Sequence, residues 1–134
     1  MSLAGGRSEA RERALGLLYE AEVKGVSGEE VLAELPVPPE PYAAELVLGT
    51  HRRMGEIDAV VRRLARGWTL ERMPALDRAV LRMAIYELLE RGDVPTAVVI
   101  DEAVELAKRF STDDSGRFVN GMLSSAAKEL RPGA

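Results

Sequence analysis

Arginine is the residue type in this sequence best equipped to bind a ligand. Of 18 basic side chains, 15 are Arg. A guanidinium fork grips phosphate bidentately and stacks on bases, which an ammonium cannot do. GC-rich codon usage would produce the same excess. Three placements deserve separate treatment. Arg117 and Phe118 adjoin at the start of a predicted helix, where free backbone N–H groups also favour phosphate. The turn from Asp114 to Phe118 is therefore a platform on which a splayed RNA base could stack. The competing reading makes Phe118 the first residue of a core stripe with Met122. Arg82 and Tyr86 lie four residues apart, on one face of a predicted helix. No acid stands three or four residues from Arg82, so its own helix offers no ion-pair partner. The alternative is a solvated Arg82 beside a half-buried Tyr86. Arg7 and Arg11 repeat the spacing near the N-terminus, where solubility alone would explain an exposed pair.

Other chemistry lacks its residues. There is no Cys and one His, His51, followed by Arg52 and Arg53 with no carboxylate beside it. That removes thiol catalysis, disulfides and a hydrolytic triad. No Glu-x-x-His pair is present for zinc or di-iron. The glycines do not form a phosphate-cradling loop after a strand. Asp101, Glu102 and Glu105 read as a solvated helical face. Neither catalysis, a metal nor a cofactor is expected.

Net charge is −4, but it is segregated. Residues 1–50 hold 4 basic and 9 acidic groups, a net of −5; residues 51–91 hold 9 and 6, a net of +3; residues 92–134 hold 5 and 7, a net of −2. A local basic face can therefore exist on an acidic protein. No apolar run approaches the roughly 20 residues needed to cross a bilayer, and no signal-peptide core opens the chain. A soluble cytoplasmic protein is expected, with no membrane partner.

These side chains must be positioned by helices, because the apolar period is helical almost throughout. Segment 8–23 carries Ala14, Leu17, Leu18 and Ala21 and stops at Gly25. Ser27 and Glu30 form a predicted capping box for a short second helix. Pro36, Pro38, Pro39 and Pro41 break it. A third helix is expected over 40–54 and a fourth over 56–66, with Gly55 between them. The fourth shows Arg62, Arg63 and Arg66 on its outer face. A connector containing Trp68 leads to segment 75–91, apolar around most of its circumference and hence central to a bundle. Two further helices are predicted over 95–110 and 115–130. Gly121 falls inside the last, where it costs about 1 kcal/mol relative to Ala; close packing against another helix would explain it. The expectation is one all-α domain over 1–134 with about seven helices.

Three stretches resemble the NusB family of bacterial transcription antitermination proteins. They are RSEARERALGLLYE at 7–20, DRAVLRMAIYELLERGDVP with VIDEAVELAKRF between 77 and 110, and RFVNGML at 117–123. Their order and spacing span nearly the whole chain. The resemblance implies two packed helical bundles and an activity of binding. The implied partners are boxA-containing RNA of nascent ribosomal RNA transcripts, the ribosomal protein NusE and the RNA polymerase antitermination complex. It assigns Arg7, Arg11, Arg82, Tyr86, Asp114, Arg117 and Phe118 to RNA, and Tyr19, Glu71 and Asp77 to NusE.

Departures from the family pattern sharpen that expectation. Residues 7–20 balance Arg7, Arg11 and Arg13 against Glu9, Glu12 and Glu20, where the family is usually more basic. Asp101 stands where Asn is common, and Ser124 where Asp is common. Weak RNA affinity without the partner is implied. Two alternatives remain. Similar domains precede the catalytic part of ribosomal RNA cytosine methyltransferases, although this chain stops after a helix terminator. A helical dimerisation module would bind no RNA, and a homodimer would bury the surface RNA needs.

Overall fold

The computed structural model describes residues 3–65, 67 and 69–133. Its regular elements are helices: α1 (Leu3–Lys24), α2 (Gly28–Ala33), α3 (Pro41–Arg52), α4 (Met54–Leu64), a 3-10 turn (Leu70–Arg72), α5 (Ala75–Glu90), α6 (Thr96–Phe110) and α7 (Asp113–Leu130). No strand occurs among the described residues. The expected Arg66 face and Trp68 connector lie outside the described residues.

Local chemistry sets most helix ends. Gly25, at φ 68°, takes the left-handed conformation that stops α1. Ser27 Oγ accepts from the Glu30 N–H at 3.0 Å, and Glu30 Oε1 accepts from the Ser27 N–H at 3.0 Å. The predicted capping box is thus present. Pro41 occupies the first turn of α3, where its missing N–H costs nothing. Thr112 caps α7, its Oγ1 accepting from the Ser115 N–H at 2.9 Å. Gly55 does not separate α3 from α4 as expected. The break falls at Arg53, and Gly55 lies within the first turn of α4.

α5 has ten buried residues among sixteen, which makes it the centre of the fold. Helices α1 and α3 pack on it and on each other, with α2 against both; α6 and α7 pack on it and on each other, and α4 reaches both α5 and α7. The buried apolar side chains of both groups form one contiguous core. The C-terminus clasps the groups together. Arg131 donates to the carbonyls of Glu87, Leu88 and Arg91 at the end of α5, and to Val94 beyond it, at 2.7–3.0 Å. Glu87 O also accepts from the Arg91 N–H and Arg91 O from the Val94 N–H, each at 2.9 Å, and the helix dipole favours a cation at this end of α5.

A charged cluster crosses this apolar centre. Arg11 of α1 is 2% exposed and Glu87 of α5 is 1% exposed. Arg11 Nε and Nη2 each lie 2.8 Å from a Glu87 oxygen, a bidentate pair. The Tyr42 hydroxyl of α3 donates to Glu87 Oε2 at 2.6 Å, and Arg11 Nη1 donates to Glu102 Oε1 of α6 at 3.0 Å. Burial works against the Arg11 charge, but the bonds and charge of Glu87 outweigh it and hold the guanidinium above its ordinary pKa. Burial, reinforced by Glu87, pushes the Tyr42 phenol upward too. Arg11, expected at an RNA surface, is therefore an internal ion-pair partner.

α3 and α5 approach closely at Gly49. A Cβ there would lie 2.2 Å from Cε1 of the buried Tyr86 ring. Two stability predictions follow from this packing. Gly49→Ala is expected to cost about 1–3 kcal/mol through overpacking, despite better helix propensity. Arg11→Ala is expected to cost about 3–5 kcal/mol by stranding the Glu87 charge, whereas Arg13→Ala on the exposed face should stay within about 0.5 kcal/mol. Urea midpoints at constant m-value check both; a neutral Arg11→Ala would contradict the buried pair.

Candidate nucleic-acid interface

The described residues contain no group of His, Asp or Glu side chains able to hold a metal ion. Among the described residues, no helix is long and apolar enough to cross a membrane. The candidate site is instead a surface, centred on the start of α7.

Thr112 anchors that start, and Asp113 and Asp114 place negative charge in the first turn, where the helix dipole favours it. Arg117 pairs with Asp114 one turn below it; the two side chains are 74% and 85% exposed. An ion pair so exposed contributes at most about 1 kcal/mol, so phosphate can replace the carboxylate cheaply. Phe118 is half-buried against the core. It packs partly inward, as the core reading expects, and also lines two surface cavities.

The first cavity, of about 230 Å³, is bounded by Met73, Pro74, Asp77, Asp114, Ser115 and Phe118, with Thr112 at its edge. Asp77 is 4% exposed. Its Oδ2 accepts from Ser115 Oγ at 2.9 Å, and its Oδ1 has no hydrogen-bond partner. A buried carboxylate oxygen without a donor is costly, and an incoming N–H group would relieve it. On the other side of Phe118 lies an open groove between α4 and α7, lined by Arg63 and Arg117 among others.

The remaining expected residues are dispersed. Arg82 has no partner on its own helix, as the spacing requires, yet it is not free. Its Nε and Nη2 lie 2.8 and 2.9 Å from the Asp58 carboxylate of α4. Tyr86 is 7% exposed, and its hydroxyl donates to Glu45 Oε2 at 3.1 Å. Burial and then the charge of Glu45 raise its pKa. Arg82 and Tyr86 thus share a helix face that other helices cover. Tyr19 is exposed on α1. Glu71 is exposed on the 3-10 turn, with Arg62 at 3.6 Å.

Arg7 remains at the surface but apart from α7. Its guanidinium lies 4.8 Å from the centre of the Tyr42 ring, with Asp93 at 3.3 Å. Ion pairs join α1 to α6 in sequence: Arg7 with Asp93 before α6, Arg11 with Glu102 within it, and Glu12 with Arg109 near its end. Arg7 and the start of α7 therefore lie at opposite ends of α6, roughly 20 Å apart by helix rise.

The sequence reading passed over Phe110. It ends α6, is 42% exposed, and has the Arg109 guanidinium 4.8 Å from its ring centre. The chain has two Phe residues, and they flank the single α6–α7 turn. An aromatic beside two cationic residues, Lys108 and Arg109, was the available signal.

Comparison with known proteins agrees with this architecture. The NusB family pattern matches residues 8–128. The transcription antitermination protein NusB of Saccharopolyspora erythraea is 52% identical over 130 residues, covering 92% of this chain and 87% of that protein. The structure of T. maritima NusB superposes with a TM-score of 0.86 at 36% identity, over 94% of this chain and 93% of that one. NusB in the crystal structure of antitermination factors NusB and NusE in complex with dsRNA gives a TM-score of 0.80 at 29% identity, over 96% of this chain and 99% of that one. With its all-α fold and a match over most of its length, the chain belongs to the NusB family.

Proposed function

We propose that this protein is a transcription antitermination factor that binds boxA RNA of nascent ribosomal RNA transcripts together with the ribosomal protein NusE. It works in the cytoplasm as part of the RNA polymerase antitermination complex, and it binds without catalysing a reaction. The observation that carries this reading is the α6–α7 turn. There Arg109 lies over the exposed Phe110 ring at the end of α6, and early in α7 the exposed Arg117 adjoins the half-buried Phe118. Single-stranded RNA is held by that combination of base stacking and phosphate contact. The likeness to a NusB that was crystallised with NusE and RNA supports the choice of partners.

Within the proposed interface, Asp114, Arg117 and Phe118 form the RNA platform, and Arg7 is an outlying phosphate contact. Arg11, Arg82 and Tyr86 act indirectly by holding α1, α4 and α5 in place. Tyr19 and Glu71 offer an exposed ring and an exposed acid to NusE. Asp77 presents its unpaired Oδ1 to a basic group at the edge of the same contact.

The test is a titration of boxA-containing RNA, with and without NusE, across a salt series. NusE should strengthen binding, and affinity should fall steeply with salt as phosphate contacts release counterions. Phe118→Ala should weaken RNA binding by roughly five- to a hundredfold, the equivalent of one lost base stack of about 1–3 kcal/mol. The variant should keep its NusE affinity and its far-UV circular dichroism. Absence of RNA binding even with NusE would sink the proposal, and unfolding of Phe118→Ala would reassign that ring to the core.

A further inference from the structure

The groove between α4 and α7 raises a question that the fold does not answer. Gly121 lies within α7, where a glycine weakens the helix. Sequence reasoning expects a neighbouring helix to press against it. Among the described residues, nothing comes within 4 Å of a Cβ built at Gly121. The glycine faces open space, so packing does not account for it. A second common use of a bare backbone is to let a ligand approach closely.

The surroundings identify the class of ligand. The groove measures about 540 Å³. Leu64 at the end of α4 and Ala65 just after it, with Gly121 and Met122 of α7, line it with apolar surface, alongside Arg63 and Arg117. Its described lining holds two arginines and no carboxylate. Arg63 is 55% exposed, and its partner Glu129 lies outside that lining. Phe118 borders this groove on one side and the Asp77 cavity on the other. The cavity holds the buried carboxylate of Asp77, whereas the groove holds the guanidinium groups of Arg63 and Arg117, which pair at the surface with Glu129 and Asp114.

We propose that single-stranded RNA leaving the Phe118 platform runs through the α4–α7 groove, with its bases over Gly121 and its phosphates against Arg63 and Arg117. The buried Asp77 carboxylate disfavours a phosphate backbone on the cavity side, and the two guanidinium groups favour it on the groove side. An apolar lining alongside guanidinium groups suits stacked bases and flanking phosphates. This inference rests on the proposed RNA-binding function and gives it a direction: the RNA footprint extends across α7 toward α4.

The test compares a core boxA RNA with versions extended by six nucleotides at either end, each titrated against the protein with NusE. One extension should tighten binding on the order of tenfold, the equivalent of one added stacked base. Gly121→Leu, which fills the groove, should abolish that gain and leave core RNA binding unchanged. Arg63→Gln should lower the salt slope by about one phosphate for the extended RNA alone. Gly121→Ala should raise the Tm, because its methyl meets no neighbour. If neither extension tightens binding, or if Gly121→Leu and Arg63→Gln both retain the gain, the groove proposal is overturned while the function stands. If the wild-type protein with NusE binds none of these RNAs, the function falls and the groove with it.

Discussion

Glu87 receives hydrogen bonds from two other helices while almost entirely removed from water: Arg11 of α1 holds both its oxygens, and Tyr42 of α3 adds a third donor. A carboxylate in that position is tolerable only if its charge is met by a well-placed cation. Leucine contacts permit small rotations and slips between helices; a bidentate fork does not. The pair therefore fixes where α1 crosses α5. From that crossing follow the contacts farther along α1, with Arg7 reaching Asp93 and Glu12 reaching Arg109. Tyr42 shares in the same arrangement, with the Arg7 and Arg91 guanidinium groups 4.8 and 5.0 Å from its ring centre. The surface position of α6, and with it the α6–α7 turn, depends on this buried charge.

The helices were legible because each is specified by neighbours in sequence. The Ser27 capping box and the apolar girth of α5 are local signals, and both appear where expected. The candidate site was less legible because an arginine's partner is often remote in sequence. Helical spacing correctly finds no acid for Arg82 on α5, but Asp58 reaches it from α4, 24 residues away. Arg11 looks like a cation on a neutral N-terminal stretch, yet its partner is 76 residues distant. A guanidinium bound to phosphate and one bound to a buried carboxylate have the same sequence signature. Burial separates them, and burial is a property of the assembled helices. Asp114, Arg117 and Phe118 could be placed together from sequence because they occupy consecutive turns of one helix.

Two helix glycines make the same point with opposite results. Both Gly49 and Gly121 interrupt good helical sequence, and both suggest a close neighbour. At Gly49 the neighbour exists: the Tyr86 ring occupies the space of a side chain. At Gly121 it does not. The helix-propensity cost is alike at the two positions; close packing accounts for the first, and the proposed RNA path for the second.

Phe118 is where these two kinds of constraint meet. Ser115, one turn before it is complete, donates to Asp77 at the start of α5 and also supplies the N–H that Thr112 caps. The start of α7 is thereby tied to the buried acid whose other oxygen lacks a donor. On the proposed reading, a basic group of NusE that satisfied Asp77 Oδ1 would neutralise the charge on the cavity side of Phe118 and steady Ser115 and the cap together. RNA then meets a platform that is better ordered and less repulsive, and the strand's course through the cationic groove keeps it clear of the partner. The near-neutral first helix contributes little attraction of its own, because Arg11 is spent on Glu87 and Arg7 is shared with Asp93. On the proposed reading the two ligands would bind cooperatively, because NusE would remove a negative charge beside the RNA platform.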